Sequence, residues 1–373
     1  MNESVLDTPP TPTPPVRPAR RYTVLAAALV AVAVGAVIVA ANSDPGRLGP
    51  QKVDPQQLPR EGGVPDLPVG RVWLNSPPLA SADLDGQVVL YDFWTYSCVN
   101  CVRTLPYLRA WYDRYRVDGL VIVGVHSPEF DFEQSRANVE DATRRLGVTW
   151  PVVMDNDLAI WDSFNNAYWP AKYVTDRDGQ IRYRHIGEGR YDETEDVLRS
   201  LLGVDPASPR ALERPSDEPD PASYRDITRE IYLGTQRGTA GARPGRTTYP
   251  EPPPLATGEA RIVGDWEADA HSVTARSPGA VIVLAYRAAE VNLVLADRPL
   301  ADPIEVVVEL DGAPVPPDAR GPDLRLDGSG ATILTVDHDG MYRLVKGANV
   351  EEHTLRLTVR APGVAAFAFT FGA

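Results

Sequence analysis

Residues Phe93–Leu108 read FWTYSCVNCVRTLPYL. Cys98 and Cys101 in this stretch are the only cysteines among 373 residues. A disulfide used as a staple stabilises most when it closes a long loop. This pair closes almost none, which leaves two chemistries: redox exchange, or half of a metal site. Upstream, GQVVLYDF (Gly86–Phe93) is a short apolar run that predicts a strand. Downstream, Leu105, Leu108, Tyr112 and Tyr115 recur at three- and four-residue spacing, which predicts a helix with one buried face. The arrangement is therefore strand, Cys-x-x-Cys, helix, with Cys98 at the helix amino terminus. Unpaired N–H groups and the helix dipole favour a thiolate there.

Residues three apart share a helix face, with Cα atoms about 5–6 Å apart, a separation that a disulfide accepts. Cys98 is expected to be the exposed attacking thiol, and Cys101, one turn deeper, the thiol that resolves the mixed disulfide. A tetrahedral metal site would need two further ligands. The five histidines, His126, His185, His271, His338 and His353, show no paired ligand spacing, so neither a metal nor another cofactor is expected. Thr95-x-x-Cys98 has a formal likeness to a peroxiredoxin motif, but Tyr91 stands where that motif has its upstream proline.

Around this centre strands and helices alternate. GLVIVGV (Gly119–Val125) is apolar throughout, as in the middle of a covered parallel sheet. EQSRANVEDATRRLG (Glu133–Gly147) predicts a helix stopped by Gly147. PVVMD (Pro151–Asp155) predicts a third strand, and AKYVTDRDGQIRYRHI (Ala171–Ile186) a hairpin turning at Asp178-Gly179. A last helix is expected from Asp192 to Leu202, with Asp192 and Glu195 as a capping box. The expected order is β-α-β-α-β-β-α, an α/β sandwich.

The flanks differ in kind. Residues 1–21 are Pro- and Thr-rich without an apolar period and read as a disordered cytoplasmic tail. Thr23–Ala41 carries no charge and is about 19 residues long, which spans roughly 28 Å as a helix and suits a bilayer. Arg17, Arg20 and Arg21 precede it and favour a cytoplasmic amino terminus, with the rest of the chain outside. Residues 22–42 are accordingly expected to be a single uncleaved transmembrane helix. Val39-Ala40-Ala41 resembles a cleavage site, but the apolar run exceeds the usual ~7–15 residues of a signal peptide. On either reading the thiols face a compartment where disulfide exchange is ordinary chemistry.

Residues 43–63 and 205–222 are Pro-rich linkers, which leaves an α/β domain at 64–204 and a second domain at 223–373. Tyr224–Gly238 is expected to pack on that second domain. From about Leu255 the apolar period is two: AVIVLAYR, EVNLVLAD, IEVVVELDG, ATILTVD, HTLRLTVR and VAAFAFTFG are candidate strands. Asp311-Gly312, Asp327-Gly328 and Asp339-Gly340 are turns between them, as in a jelly roll or β-sandwich. Phe367, Phe369 and Phe371 alternate and are expected to face its core. The formal net charge of −14 argues against a nucleic-acid partner.

The segment before Cys98, with Asp92 six residues ahead of it, resembles thioredoxin. The resemblance implies that Asp92 is a buried acid that moves the proton of Cys101. It also implies that Pro106 kinks the active-site helix, and that Pro170 in YWPAKYVTD (Tyr168–Asp176) is the cis-proline facing the disulfide. The Trp169 backbone would then pair with substrate. FWTYSCVNC, GVHSPEFDFE (Gly124–Glu133), YWPAKYVTD and GEGRYDETE (Gly187–Glu195) are similar to the TlpA/DipZ-type extracytoplasmic thioredoxin-like proteins. The all-β part is similar to the DipZ carboxy-terminal domain, a jelly roll likened to carbohydrate-binding modules. IYLGTQRG, VNLVLADRP, VVVELDGAPV and FAFTFG carry that match.

The resemblance implies a thiol:disulfide oxidoreductase acting on exported proteins, apocytochromes before haem attachment included. DipZ proteins begin with a multi-span electron-transfer domain where this sequence has one expected span. A separate membrane electron donor of the CcdA/DsbD kind is therefore implied. Ser97 and Val99-Asn100 depart from the usual thioredoxin residues, and the dipeptide has no histidine to lower the Cys98 pKa, which favours a reductant. The alternative reading is a glycan- or protein-binding module in the cell envelope, with Trp266, Tyr286 and Tyr342 as candidate platforms and the α/β part as scaffold. The role of Glu129 is left open by the sequence.

Overall fold

In a computed structural model, residues 54–211, 226–297 and 302–373 are described. The expected anchor at 22–42 and the tail at 1–21 lie outside them, as does most of the 205–222 linker. Among the described residues no helix is long and apolar enough to cross a membrane.

The first part contains β1 (Trp73–Leu74), β2 (Val88–Trp94), β3 (Leu120–His126), β4 (Val152–Met154), β5 (Ala171–Thr175) and β6 (Ile181–Ile186). Its helices are α1 (Val99–Tyr115), α2 (Arg136–Arg145), α3 (Ala159–Ser163) and α4 (Tyr191–Leu202). The sheet runs β1-β4-β3-β2-β5-β6. β2, β3 and β4 are parallel, while β5 and β6 form the expected hairpin, β5 antiparallel to β2 and β6 antiparallel to β5. Strand alternation sorts β2 onto two faces. Leu90 and Trp94 join Cys101, Leu105 and Leu108 of α1 and Val197, Leu198 and Leu202 of α4. Tyr91 and Phe93 join Ile160 and Trp161 of α3 on the other side.

β1 and α3 were not expected; at two and five residues they are too short to show a period. The expected capping box does not form. α4 begins at Tyr191, capped by Arg190 in the left-handed region (φ 50°) without a side-chain bond. The Glu195 carboxylate turns inward instead, accepting from Tyr115 Oη (2.6 Å) and the Ala211 N–H (2.7 Å). Both are donors that would otherwise be stranded away from water.

The second part contains β7 (Ile231–Tyr232), β8 (Gly245–Tyr249), β9 (Glu259–Ala268), β10 (Val273–Ala275), β11 (Val281–Asp297) and β12 (Ile304–Leu310). It continues with β13 (Ala313–Pro314), β14 (Leu324–Leu326), β15 (Thr332–Val336), β16 (Gly340–Val359) and β17 (Val364–Gly372). The main path is β14-β15-β12-β16-β11-β17-β10-β9-β8, with an added β11–β9 pairing that folds the sheet onto itself around one core. The expected strands AVIVLAYR and EVNLVLAD are one strand, β11. Register shifts between Ala288 and Glu290 and between Val291 and Asn292 bend it without ending it, and its first half pairs with β9, its second with β17.

Phe369 and Phe371 enter the β core as expected, but Phe367 does not. The β17–β11 register shifts between Ala366 and Ala368, so Phe367 is the extra residue of a bulge and its alternation reverses. It packs on Phe130 and Phe132, both with ring centroids 4.9 Å away. The α/β and all-β parts thereby share a core and form one compact unit. Arg103–Glu290 (2.5 Å) and Asn138–Asp339 (2.9 Å) flank this seam.

Candidate active site

Cys98 is the N-cap of α1, and its Sγ accepts the N–H of Cys101 at 3.2 Å. The two are joined as a disulfide with Cα atoms 5.2 Å apart. Cys98 is half-buried and Cys101 wholly buried. A helix amino terminus stabilises negative charge on the sulfur that caps it. Pro106 lies inside α1, where its ring removes one main-chain hydrogen bond.

The loop leading to Cys98 is held from beneath by a residue that the sequence reading missed. Buried Glu133 accepts from Thr95 Oγ1 and from Ser97 Oγ (2.5 Å), and from the Glu129 and Phe130 N–H groups (2.7 and 2.9 Å). Burial pushes its pKa up, and these donors oppose the shift. In Glu133→Gln only one of the two acceptor oxygens remains, so either the two N–H groups lose their acceptor or both hydroxyls must turn round to accept from the amide. The substitution is expected to cost about 1–3 kcal/mol, measured as a lower urea midpoint at unchanged m-value.

Asp92, on the α1 face of β2, is wholly buried, and burial raises its pKa to about 6. Directly across the β2–β5 ladder stands Lys172, also wholly buried, with Nζ 3.9 Å from Asp92 Oδ1. Burial lowers the Lys172 pKa, while Asp92 opposes that shift. Among the described residues, neither the Asp92 carboxylate nor Lys172 Nζ has a hydrogen-bond partner. Lys172 was also missed; a lone cation inside AKYVT was its only trace. His126 is buried against Tyr96 and Trp94, and burial lowers its pKa to about 3, so it is neutral near pH 7.

The Trp169–Pro170 peptide bond is cis. The Trp169 indole is fixed by its Nε1–H donating to Ser127 O (3.0 Å) and by Trp161, whose ring centroid is 4.3 Å away. Cys98, Tyr168 and Trp169 line a cleft of about 480 Å³. Ser97, Asn100 and Phe130 of the α/β part line it too, and the β part contributes Thr228, Glu230 and Phe371 among others. Glu129 lies here and ties the two parts together, accepting from Tyr232 Oη (2.9 Å) and Arg237 Nη1 (2.8 Å). The candidate platforms Trp266, Tyr286 and Tyr342 are all buried in the β core and present no face to a glycan.

A Cys-x-x-Cys disulfide at a helix end, sharing a cleft with Trp169 of a cis X-Pro bond and with a buried acid on the α1 face of β2, has the make-up of a thioredoxin-like exchange site. Two family models match the chain: Redoxin over residues 70–202, and the thioredoxin-like C-terminal domain over residues 228–372. The chain is 33% identical to Protein DipZ of Mycobacterium tuberculosis over 326 residues, covering 85% of this chain and 44% of DipZ. It thus spans less than half the length of that relative. It is 31% identical to the thiol-disulfide oxidoreductase YkuV of Bacillus subtilis, covering 33% of this chain and 83% of YkuV. A thioredoxin-like protein solved in its oxidised form is 30% identical, with coverage of 38% and 97% and a TM-score of 0.35. The chain belongs to the thioredoxin-like thiol-disulfide oxidoreductases.

Proposed function

We propose that this protein is a membrane-anchored, extracytoplasmic reductant of disulfides in exported proteins, apocytochromes c before haem attachment among them. The observation that supports it most is the asymmetry of the two sulfurs: Cys98 is half-buried at a helix end and lines an open cleft, and Cys101 is sealed beneath it. In the reduced protein the Cys98 thiolate attacks a client sulfur. A mixed disulfide forms, and the client's other sulfur leaves and takes up a proton. Cys101 then passes its proton to Asp92 and attacks Cys98, and the client departs as a dithiol, two electrons richer. Trp169 and Pro170 hold the client backbone during the exchange. A separate membrane dithiol donor of the CcdA/DsbD kind restores the pair. The charge-free segment within 22–42, preceded by Arg17, Arg20 and Arg21, holds the site outside the membrane.

The test is the Cys98–Cys101 reduction potential, measured by equilibration with dithiol buffers. A value near that of thioredoxin, about −270 mV, is expected, whereas one near that of DsbA, about −120 mV, would make the protein an oxidant and overturn the proposed direction.

A further inference from the structure

Glu129 stands in the reactive cleft with Cys98, yet the partners of its carboxylate come from the other part of the chain. Its side chain is 12% exposed; it accepts from Arg237 Nη1 at 2.8 Å and lies 2.9 Å from Tyr232 Oη. Tyr232 Oη is also 2.8 Å from Glu230 Oε2. A phenol has one proton to donate, so Tyr232 cannot serve both carboxylates fully. A carboxylate this little exposed needs a counter-charge as well as hydrogen bonds. Arg237 is that cation. Among the described residues it makes the ion pair with Glu129, and its guanidinium lies over the Tyr232 ring, with Cζ 3.9 Å from the centroid.

The cluster is joined to the thiol loop through Glu133. The Glu129 N–H and Ser97 Oγ bond opposite oxygens of that buried carboxylate, at 2.7 and 2.5 Å, and Ser97 is the residue before Cys98. Glu129 is thus fixed to the thiol loop by its main chain and to the β part by its side chain. The charged and titratable groups sharing the cleft with Cys98 are Glu129, Tyr168, Arg229, Glu230, Tyr232 and Arg237. Within the α/β part, Asp92, His126, Glu133 and Lys172 are buried on or beside β2. A carboxylate near a thiol opposes its ionisation, and a cation favours it.

We propose that Arg237 of the β part is a positioning residue of the thiol site: it offsets the Glu129 charge inside the cleft and so favours the Cys98 thiolate, while Tyr232 fixes the carboxylate in place. This rests on the oxidoreductase reading and adds to it a role for the β part, whose docking completes the electrostatics of the exchange site. Arg237 acts through Glu129 and needs no contact with the client.

The experiment treats the full chain, reduced, with iodoacetamide across pH 5–9 and follows Cys98 modification by mass spectrometry. Alkylation tracks the thiolate fraction. In Arg237→Gln the midpoint is expected to rise by about 0.7 pH unit, slowing alkylation below the midpoint about fivefold, as for one unit charge acting through partly hydrated protein. Adding Glu129→Gln to Arg237→Gln removes the uncompensated charge and should bring the midpoint back, a rescue that mere loosening of the seam would not give. An unmoved midpoint in Arg237→Gln overturns the proposal, as does a double variant that fails to return. Should Arg237→Gln not fold, Glu129→Gln alone leaves the cation without its partner and must lower the midpoint; no change there overturns the proposal equally. Reduction of insulin disulfides by the wild type is read in parallel. A wild type that reduces none sinks the oxidoreductase reading, whereas an unmoved midpoint with insulin reduced sinks only the role of Arg237.

Discussion

Cys98→Ser is expected to abolish disulfide exchange, whereas Cys101→Ser is expected to stall it midway, with client proteins accumulating as mixed disulfides on Cys98. The difference follows from burial. Cys101 is sealed under α1 and β2, so no client sulfur reaches it directly. Cys98 lines the cleft, and the end of α1 stabilises its negative form. Without Cys98 no bond to a client forms, and turnover should drop to the solvent background. Without Cys101 the first bond forms normally, but the intramolecular attack that breaks it is gone. Non-reducing electrophoresis and mass spectrometry of proteins trapped in cells read this directly. Residual turnover in Cys98→Ser would mean that the helix end opens to expose Cys101. Failure of Cys101→Ser to hold any client would remove the basis for the proposed exchange.

The parts of this site that were legible in the sequence are those whose geometry is local. Strand, Cys-x-x-Cys and helix lie within thirty residues of one another, and helix geometry alone places Cys98 at the cap and Cys101 one turn below. The hairpin was readable because Asp178-Gly179 sits between two apolar runs, and Gly179 does adopt a positive φ of 71°. What escaped was set by register and docking. Lys172 meets Asp92 only because β5 pairs with β2 at that offset, more than seventy residues away along the chain. Phe367 keeps the alternating pattern of its neighbours in sequence, yet a bulge turns it into the seam. Glu195 looks like a capping residue until Tyr115 is brought above it. The cleft wall at Ile227–Glu230 precedes a two-residue strand that no period reveals, and it reaches the thiols only because the two parts share a core.

Asp92 and Lys172 should separate stability from catalysis. The ordinary Asp92 value of 3.8 rises to about 6 in the fold, and burial is the cause. Between those values the native state binds the proton more tightly than the unfolded chain does. Native stability therefore falls as pH rises from about 4 to 6, by roughly 3 kcal/mol in all. Replacing both charges by neutral groups of similar size, Asp92→Asn with Lys172→Met, is expected to raise stability at pH 8 by about 1–4 kcal/mol. The same double variant should resolve mixed disulfides roughly 100-fold more slowly, since the proposed acceptor of the Cys101 proton is gone. The single variant Lys172→Met gives the sharper readout. The ammonium holds the Asp92 pKa down, so its removal moves that pKa above 6. A resolution rate that climbs with pH through about 6 in the wild type should then climb at higher pH, while in Asp92→Asn the climb should vanish. Stopped-flow release of a fluorescent client across pH 5–9 distinguishes these cases. A midpoint that stays put in Lys172→Met would mean that a group other than Asp92 accepts the proton. The buried acid would then be a cost to the fold without a catalytic return.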